Sequence, residues 1–147
     1  GFIDRITPAG RTLGRRETFN DRDSARDYFA GKSLFRHFDP DCLDAYVEHG
    51  LQVVEQGLQL RFDPATEISI YRSIPHTSPA PARQLQVPLA MVRGNRSNVI
   101  RRHHTLAVRS MPKGEYHSVP GGHMFPLERP ADTASLIKGL FDRWSQA

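Results

Sequence analysis

The strongest candidate for chemistry in this sequence is a histidine that follows two glycines, in the segment PGGHMFPLERP at residues 120–130. His123 comes directly after a predicted strand, GEYHSVP at residues 114–120, and precedes a helix that starts at a proline. In open α/β sheets, ligands and catalytic groups collect at the carboxyl ends of the strands. Imidazole titrates near neutral pH, so it can take a proton from a nucleophile and return it to a leaving group. We therefore interpret His123 as a candidate general base and acid.

The two glycines before this histidine give the loop its geometry. Gly121 and Gly122 allow the backbone to turn sharply and to bring the imidazole into a cleft. The alternative is that His123 is an ordinary loop histidine that hydrogen-bonds to a neighbouring carbonyl. Its position after a strand favours the catalytic interpretation.

The elements around this loop predict a parallel sheet in the second half of the chain. VPLAMV at residues 87–92 is a continuous apolar run closed by a glycine, which is typical of a strand buried on both faces. Residues 98–111 have helical spacing, residues 114–120 form the second strand, and a helix with an apolar stripe follows Pro130. The order strand, helix, strand, helix indicates parallel pairing in an α/β fold.

The first half of the chain predicts helices and little strand. A polar start followed by spaced aromatic residues predicts a helix from Asp21, and an Asp-Pro start predicts two more, from Asp39 to Gly50 and from Asp63. LQLRF at residues 58–62 fits a short strand or an extended connection. We predict an irregular segment at 1–20, a helical region at 21–82 that ends in a proline-rich loop, and an α/β part at 83–147.

Composition and charge exclude several classes of protein. The 147 residues are 38% hydrophobic and 24% charged, with a net charge of +4, which suits one soluble domain. The basic residues are scattered among acids, so nucleic-acid binding lacks support. The single cysteine, Cys42, cannot form an internal disulfide, and no apolar run is long enough to span a bilayer. We therefore expect a cytoplasmic protein without membrane contact.

The order of these motifs resembles the C-terminal part of the α/β-hydrolase fold. The segments VPLAMVRGNRSNVI and GEYHSVPGGHMFPLERPADTASLIKGLF resemble its last strands and catalytic-histidine loop, and FDPDCLDAYVEHGL and TEISIYRSIP resemble its helical cap. The resemblance covers residues 15–144. It implies that residues 21–82 are the cap, that residues 83–147 belong to the hydrolase core, and that His123 is the histidine of the catalytic triad.

The sequence departs from that family in two places. The family carries its nucleophile in a G-x-S-x-G turn, and no such motif occurs here; Ser33 lacks the second glycine. After the strand at 87–92, where the acid is expected, the segment GNRSNVI offers Asn95 and Asn98 and no carboxylate. Asn98 could orient an imidazole by hydrogen bonding, or it could cap the following helix. Asp4 is a remote alternative for the acid.

The other titratable residues favour structural roles. His103 and His104 are adjacent on the predicted helix, so their rings are expected to point apart, with His103 on the apolar face and His104 in solvent. His117 has only Glu115 nearby, and Glu128 fits a charge at a helix N-terminus or a pair with arginine. We therefore expect no metal site and no cofactor.

Together these features predict a hydrolase of a small apolar ester whose serine lies outside this chain. An acyl pocket between cap and sheet would be lined by mostly aromatic residues, although those in the cap could equally be plain core: Tyr28, Phe29, Phe35, Tyr46, Tyr71, Met124 and Phe125. Two strands, or three at most, are too few to cover the run at 87–92 on both sides, so we expect about half a domain. Either the chain is a fragment, or a second polypeptide completes it. The alternatives are a hydrolase-like binding module without catalysis and a basic protein associated with nucleic acid.

Overall fold

The computed structural model describes residues 16–72 and 85–146, and at positions 71 and 72 it describes the backbone only. The described residues divide into two compact units, one formed by 16–36 and 43–72 and the other by 37–42 and 85–146. Most of the predicted proline-rich loop and Asp4 lie outside the described residues.

Three helices of the first half begin and end close to where their capping residues predict. They are α1 (Arg22–Ala30), α2 (Pro40–Gly50) and α3 (Pro64–Arg72). Asp21 caps α1, because its carboxylate accepts a hydrogen bond from the Ser24 backbone N–H at 2.7 Å while the Ser24 hydroxyl accepts one from the Asp21 N–H. The side chain of Asp63 accepts a hydrogen bond from the Ala65 N–H at 2.8 Å at the start of α3. The three helix predictions are confirmed.

The expectation of little strand in the first half was wrong. A three-stranded antiparallel sheet in the order β1-β3-β2 is formed by β1 (Thr18–Phe19), β2 (Leu51–Val54) and β3 (Gly57–Leu60). Gly57 closes the tight β2–β3 hairpin with a φ of +117°, and a Cβ there would overlap the Phe19 carbonyl oxygen. β3 overlaps the segment LQLRF at 58–62, for which a short strand was one of the two predictions. β1 and β2 escaped prediction because they are short and the turn lacks an Asn-Gly or Asp-Gly signal.

An aromatic cluster forms the core of the first unit. Phe19 and Phe29 are almost fully buried, and their ring centroids lie 5.3 Å apart. Phe29 also contacts Phe35 and Tyr46, each at 5.1 Å between centroids. Edge-on and tilted contacts of this kind are favourable beyond the area they bury, by about 1 kcal/mol per pair.

The second unit contains the predicted parallel strand pair. Strand β4 (Leu89–Gly94) pairs with β5 (Gly114–Val119) in parallel, with Leu89 opposite Gly114 and Gly94 opposite Val119. The helices are α4 (Arg102–Arg109), α5 (Phe125–Glu128) and α6 (Pro130–Trp144). The order strand, helix, strand, helix is confirmed, although α4 is shorter than the predicted 98–111.

Helices α4 and α6 lie on opposite faces of this strand pair. On β5, the Arg109 guanidinium of α4 stands 5.4 Å from the centroid of the Tyr116 ring. The neighbouring residue Glu115 accepts a hydrogen bond from the Trp144 indole N–H of α6 at 3.0 Å. Because successive side chains of a strand point to opposite faces, these two contacts place one helix on each side.

The contact at Glu115 holds the end of α6 against the strand. Partial burial raises the pKa of the Glu115 carboxyl, but hydrogen bonds from His117 and Trp144 and the charge of Arg143 outweigh it, so the pKa lies below its ordinary value. Glu115 is therefore a carboxylate at neutral pH and accepts hydrogen bonds from all three side chains.

In the described parts of the chain, no helix is long and apolar enough to cross a bilayer.

Candidate active site

The loops that follow the two parallel strands are fastened to each other at the carboxyl end of the strand pair. The Asn95 backbone N–H donates to the Val119 carbonyl at 2.8 Å, and the Arg96 N–H donates to the Gly121 carbonyl at 3.0 Å. The Asn95 side-chain oxygen accepts a hydrogen bond from the Gly121 N–H at 3.3 Å. The loop that carries His123 is therefore held by the end of β4 at three points.

Two glycines permit this close approach. Gly94 lies so near the His123 loop that a Cβ there would overlap the carbonyl oxygens of Gly121 and Gly122. Gly121 has a φ of +136°, which side-chain-bearing residues rarely adopt, and a Cβ on it would lie 2.6 Å from the Phe125 Cβ. The glycine at the end of β4 is a site feature that the sequence suggested only as the end of a strand.

Glu128 holds the loop from its other side. Its side chain is 9% exposed, and it accepts hydrogen bonds from the Gly122 N–H at 2.8 Å and from the Arg96 guanidinium at 3.0 Å. Of the two roles expected for Glu128, the pair with an arginine is confirmed, with Arg96 as its partner, while Arg129 pairs with Asp132 at 2.6 Å. Glu128 therefore binds the backbone of Gly122, six residues before it in the sequence, and the sequence analysis did not predict this contact.

His123 itself is exposed at the tip of this loop. Among the described residues, no side chain hydrogen-bonds to its imidazole. Asn98, the candidate orienting residue, is exposed and lies beside the arginines of α4 without bonding to His123. Met124 and Phe125 follow His123 and are half-buried.

The aromatic residues predicted to line an acyl pocket fall into two groups. Tyr28, Phe29, Phe35 and Tyr46 pack on one another in the first unit, where Phe29 and Phe35 belong to its core. Met124 and Phe125 belong to the second unit, and the side chain of Tyr71 lies outside the described residues. The pocket itself stays a prediction.

The remaining histidines and the cysteine do not form a metal centre in the part of the chain that the structure describes. The rings of His103 and His104 are tilted by 45° with centroids 3.9 Å apart, so the expectation that they point apart was wrong. His103 is exposed and His104 half-buried, which reverses the burial expected for the two residues. Burial, with the nearby carboxylates of Asp39 and Asp41, raises the pKa of the Cys42 thiol, which disfavours a thiolate nucleophile.

Replacing Glu128 by alanine is expected to loosen the His123 loop. The change leaves the Gly122 N–H without its acceptor, which costs about 1–3 kcal/mol, so exchange of that amide proton should accelerate about tenfold or more in hydrogen-exchange NMR. Glu128→Gln keeps an acceptor oxygen and should retain most of the protection. Asp132→Ala, which removes an exposed pair with Arg129, is the control; equal protection of Gly122 in Glu128→Ala and in this control would contradict the role.

Comparison with known proteins identifies the fold. Neither a known protein-family profile nor a curated protein matches the sequence. A solved E-2-(acetamidomethylene)succinate hydrolase matches with a TM-score of 0.79 and 24% identity, over 95% of this chain and 52% of that one. The peroxisomal alpha-beta-hydrolase Lpx1 from Saccharomyces cerevisiae matches with a TM-score of 0.77 and 14% identity, over 92% and 39%. An esterase of M. tuberculosis, Rv0045c, matches with a TM-score of 0.65 and 18% identity, over 92% and 48%.

At these identities the likeness shows a shared fold. The chain spans about half the length of the solved proteins that it matches, while nearly all of it is covered.

Proposed function

Because this chain has the fold of part of an α/β-hydrolase, we propose that it supplies the cap and the catalytic histidine of a serine hydrolase. In this proposal His123 is the general base and acid, and the serine lies in the remaining half of the fold, outside these 147 residues. The observation that carries the proposal is the position of His123, on a loop that β4, Asn95 and Glu128 hold at the carboxyl end of two parallel strands.

The chemistry follows from what an imidazole can do at that position. His123 accepts the proton of the serine hydroxyl as its oxygen attacks the ester carbonyl, and it then gives this proton to the departing alcohol. Water repeats the cycle on the acyl-serine: His123 takes its proton and returns it to the serine oxygen. The donors that stabilise the oxyanion and the acid that orients His123 would come from the remaining half, since this sequence lacks both the G-x-S-x-G turn and a carboxylate after β4.

The proposed substrate is a small ester with an apolar acyl group. The half-buried Met124 and Phe125 beside His123 would provide apolar contact for such a group. The solved structures that the chain resembles include an esterase and a thioesterase domain, which favours an ester substrate. The cytoplasmic location stays a prediction.

A binding module without catalysis is the second candidate, because α6 exposes apolar side chains. Phe141 is 61% exposed and Ile137 47% exposed, and both belong to the apolar stripe predicted for this helix. Such residues would suit a protein partner, including the remaining half of the fold.

The test uses the assembly that the chain forms in its source. Its intact mass is compared with the 16.6 kDa of this chain, and a fluorophosphonate probe, which reacts with activated serines, is added together with p-nitrophenyl butyrate. The expected result is a labelled serine in a G-x-S-x-G turn outside this sequence, with ester turnover that the probe abolishes. An assembly that neither reacts with the probe nor turns over the ester would overturn catalysis in favour of the binding module.

A further inference from the structure

Four arginines line one cleft on the face of the strand pair that packs against α4. The cleft has a volume of about 510 Å³, within the range of pockets that hold small organic ligands. We call it the arginine cleft; its polar and aromatic lining includes Arg93, Asn98, Arg101, Arg102, Arg109 and Tyr116.

The charges of this cleft have no internal counter-charge. No carboxylate pairs with any of its four guanidinium groups among the described residues. Other arginines of the chain do pair with carboxylates: Arg22, Arg26, Arg96, Arg129 and Arg143. Four like charges around one cavity repel one another, and an anion in the cavity removes that repulsion.

Two of the guanidinium groups are already oriented. Arg93 donates from Nε to the Ser97 carbonyl at 3.0 Å, and its Nη2 donates to the same oxygen; Ser97 is only 4% exposed. Arg109 lies over the Tyr116 ring. Arg101 and Arg102 stand at the start of α4, where the helix dipole also favours negative charge. Because these two guanidinium groups are already held in place, binding of an anion costs less conformational entropy.

Apart from the arginines, Asn98 and Thr105, the residues that line the cleft are apolar or aromatic, and this part of the lining defines the class of ligand. Ile100 and Leu106 border the cleft together with the ring of Tyr116. Guanidinium groups form paired hydrogen bonds to the oxygens of a phosphate, and the apolar lining offers contact to a carbon skeleton. We propose that the arginine cleft binds a small organic phosphate, a site separate from the role assigned to His123.

Calorimetric titration of the intact protein at low salt, with three probes, tests this proposal. Adenosine diphosphate joins a diphosphate to an aromatic base, pyrophosphate is the free anion, and citrate is a polycarboxylate of similar charge. We expect adenosine diphosphate to bind at least about fivefold more tightly than the other two, because only it uses both the arginines and the apolar lining. Equal binding of pyrophosphate would overturn the organic part of the proposal.

Matched variants separate this site from general attraction of anions. Replacing Arg101 and Arg102 by alanine should weaken binding of adenosine diphosphate about 30-fold, because two charged hydrogen-bond donors are lost. Replacing the same pair by lysine should weaken it about fivefold, since an ammonium cannot form the paired bonds. The control replaces Arg22 and Arg26, which carry the same charge outside the cleft, and should change binding less than about twofold.

A measurement without variants completes the test. In NMR spectra of the arginine side chains, the Nε–H signals of Arg93, Arg101, Arg102 and Arg109 should move on addition of adenosine diphosphate, while those of Arg22 and Arg26 stay in place. Absence of binding up to about 10 mM ligand, or an equal loss in the control variant, would overturn the proposal. Displacement of the ligand by single-stranded DNA, with an affinity that falls steeply with salt, would overturn it in favour of a nucleic-acid surface.

Discussion

Replacing Gly94 by alanine is expected to lower the free energy of unfolding by about 2–4 kcal/mol and to displace the His123 loop. The added methyl would overlap the carbonyl oxygens of Gly121 and Gly122, which are backbone atoms and cannot rotate away as a side chain can. The Gly94 backbone could make room only by giving up the hydrogen bonds that Asn95 and Arg96 donate to this loop. Urea unfolding followed by the fluorescence of Trp144, the single tryptophan, measures the loss.

Gly139→Ala is the matched control for this change. Gly139 lies inside α6, and a Cβ there would meet nothing within 4 Å among the described residues. Alanine is the better helix former by about 1 kcal/mol, so this variant should be as stable as the original protein or more stable. If both alanine variants unfolded at the same urea concentration, the close approach of Gly94 to the loop would not constrain the fold.

The sequence was sufficient to predict those helices and strands whose signals lie within the element itself. The Asp-Pro starts of α2 and α3 and the polar start of α1 at Asp21 located three helices, because capping is a contact between residues two or three apart. The apolar run of β4 and the order of elements that follows it predicted a parallel pair, because a crossover helix leaves few other topologies.

Contacts between segments far apart in the chain could not be predicted from the sequence. The three-stranded sheet depends on pairing of β1 with β3, nearly 40 residues apart, and β1 has only two residues to signal it. In the sequence the basic residues look scattered, since Arg93 and Arg109 stand eight and seven residues from the pair at 101 and 102. The fold of β4 and α4 brings these four arginines together in one cleft. The sequence contains no run of basic residues there, so it did not predict the basic patch that favours an anion ligand.

In the candidate site, too, the local features were predicted and the contacts between segments were not. His123 and its glycines were found because a histidine after a strand and two glycines is a local pattern. The hydrogen bonds of Glu128 and Asn95 to that loop cross between segments, and neither residue type nor spacing reveals them. Long-range contacts therefore supply the part of the site that positions the histidine.

Replacing His123 by alanine should reduce ester turnover by the complete assembly about 10⁴-fold, in kcat more than in KM. Without the imidazole, the serine keeps its proton during attack and the departing alcohol receives none, so both chemical steps lose their proton carrier. The ground-state contacts of the substrate are untouched by this loss, which is why KM should change little. Steady-state kinetics on p-nitrophenyl butyrate, with thermal unfolding as a check on the fold, measures the effect.

His49→Ala is the matched control, because His49 is an exposed histidine in the last turn of α2, in the other unit of the chain. It should leave kcat within about twofold of the original value. Because His123 is exposed and has no hydrogen-bond partner among the described side chains, its replacement should leave the thermal midpoint nearly unchanged. A His123→Ala protein that keeps its fold and turns over the ester at the original rate would show that the proton is carried by another group, while the fluorophosphonate test on the serine would still stand.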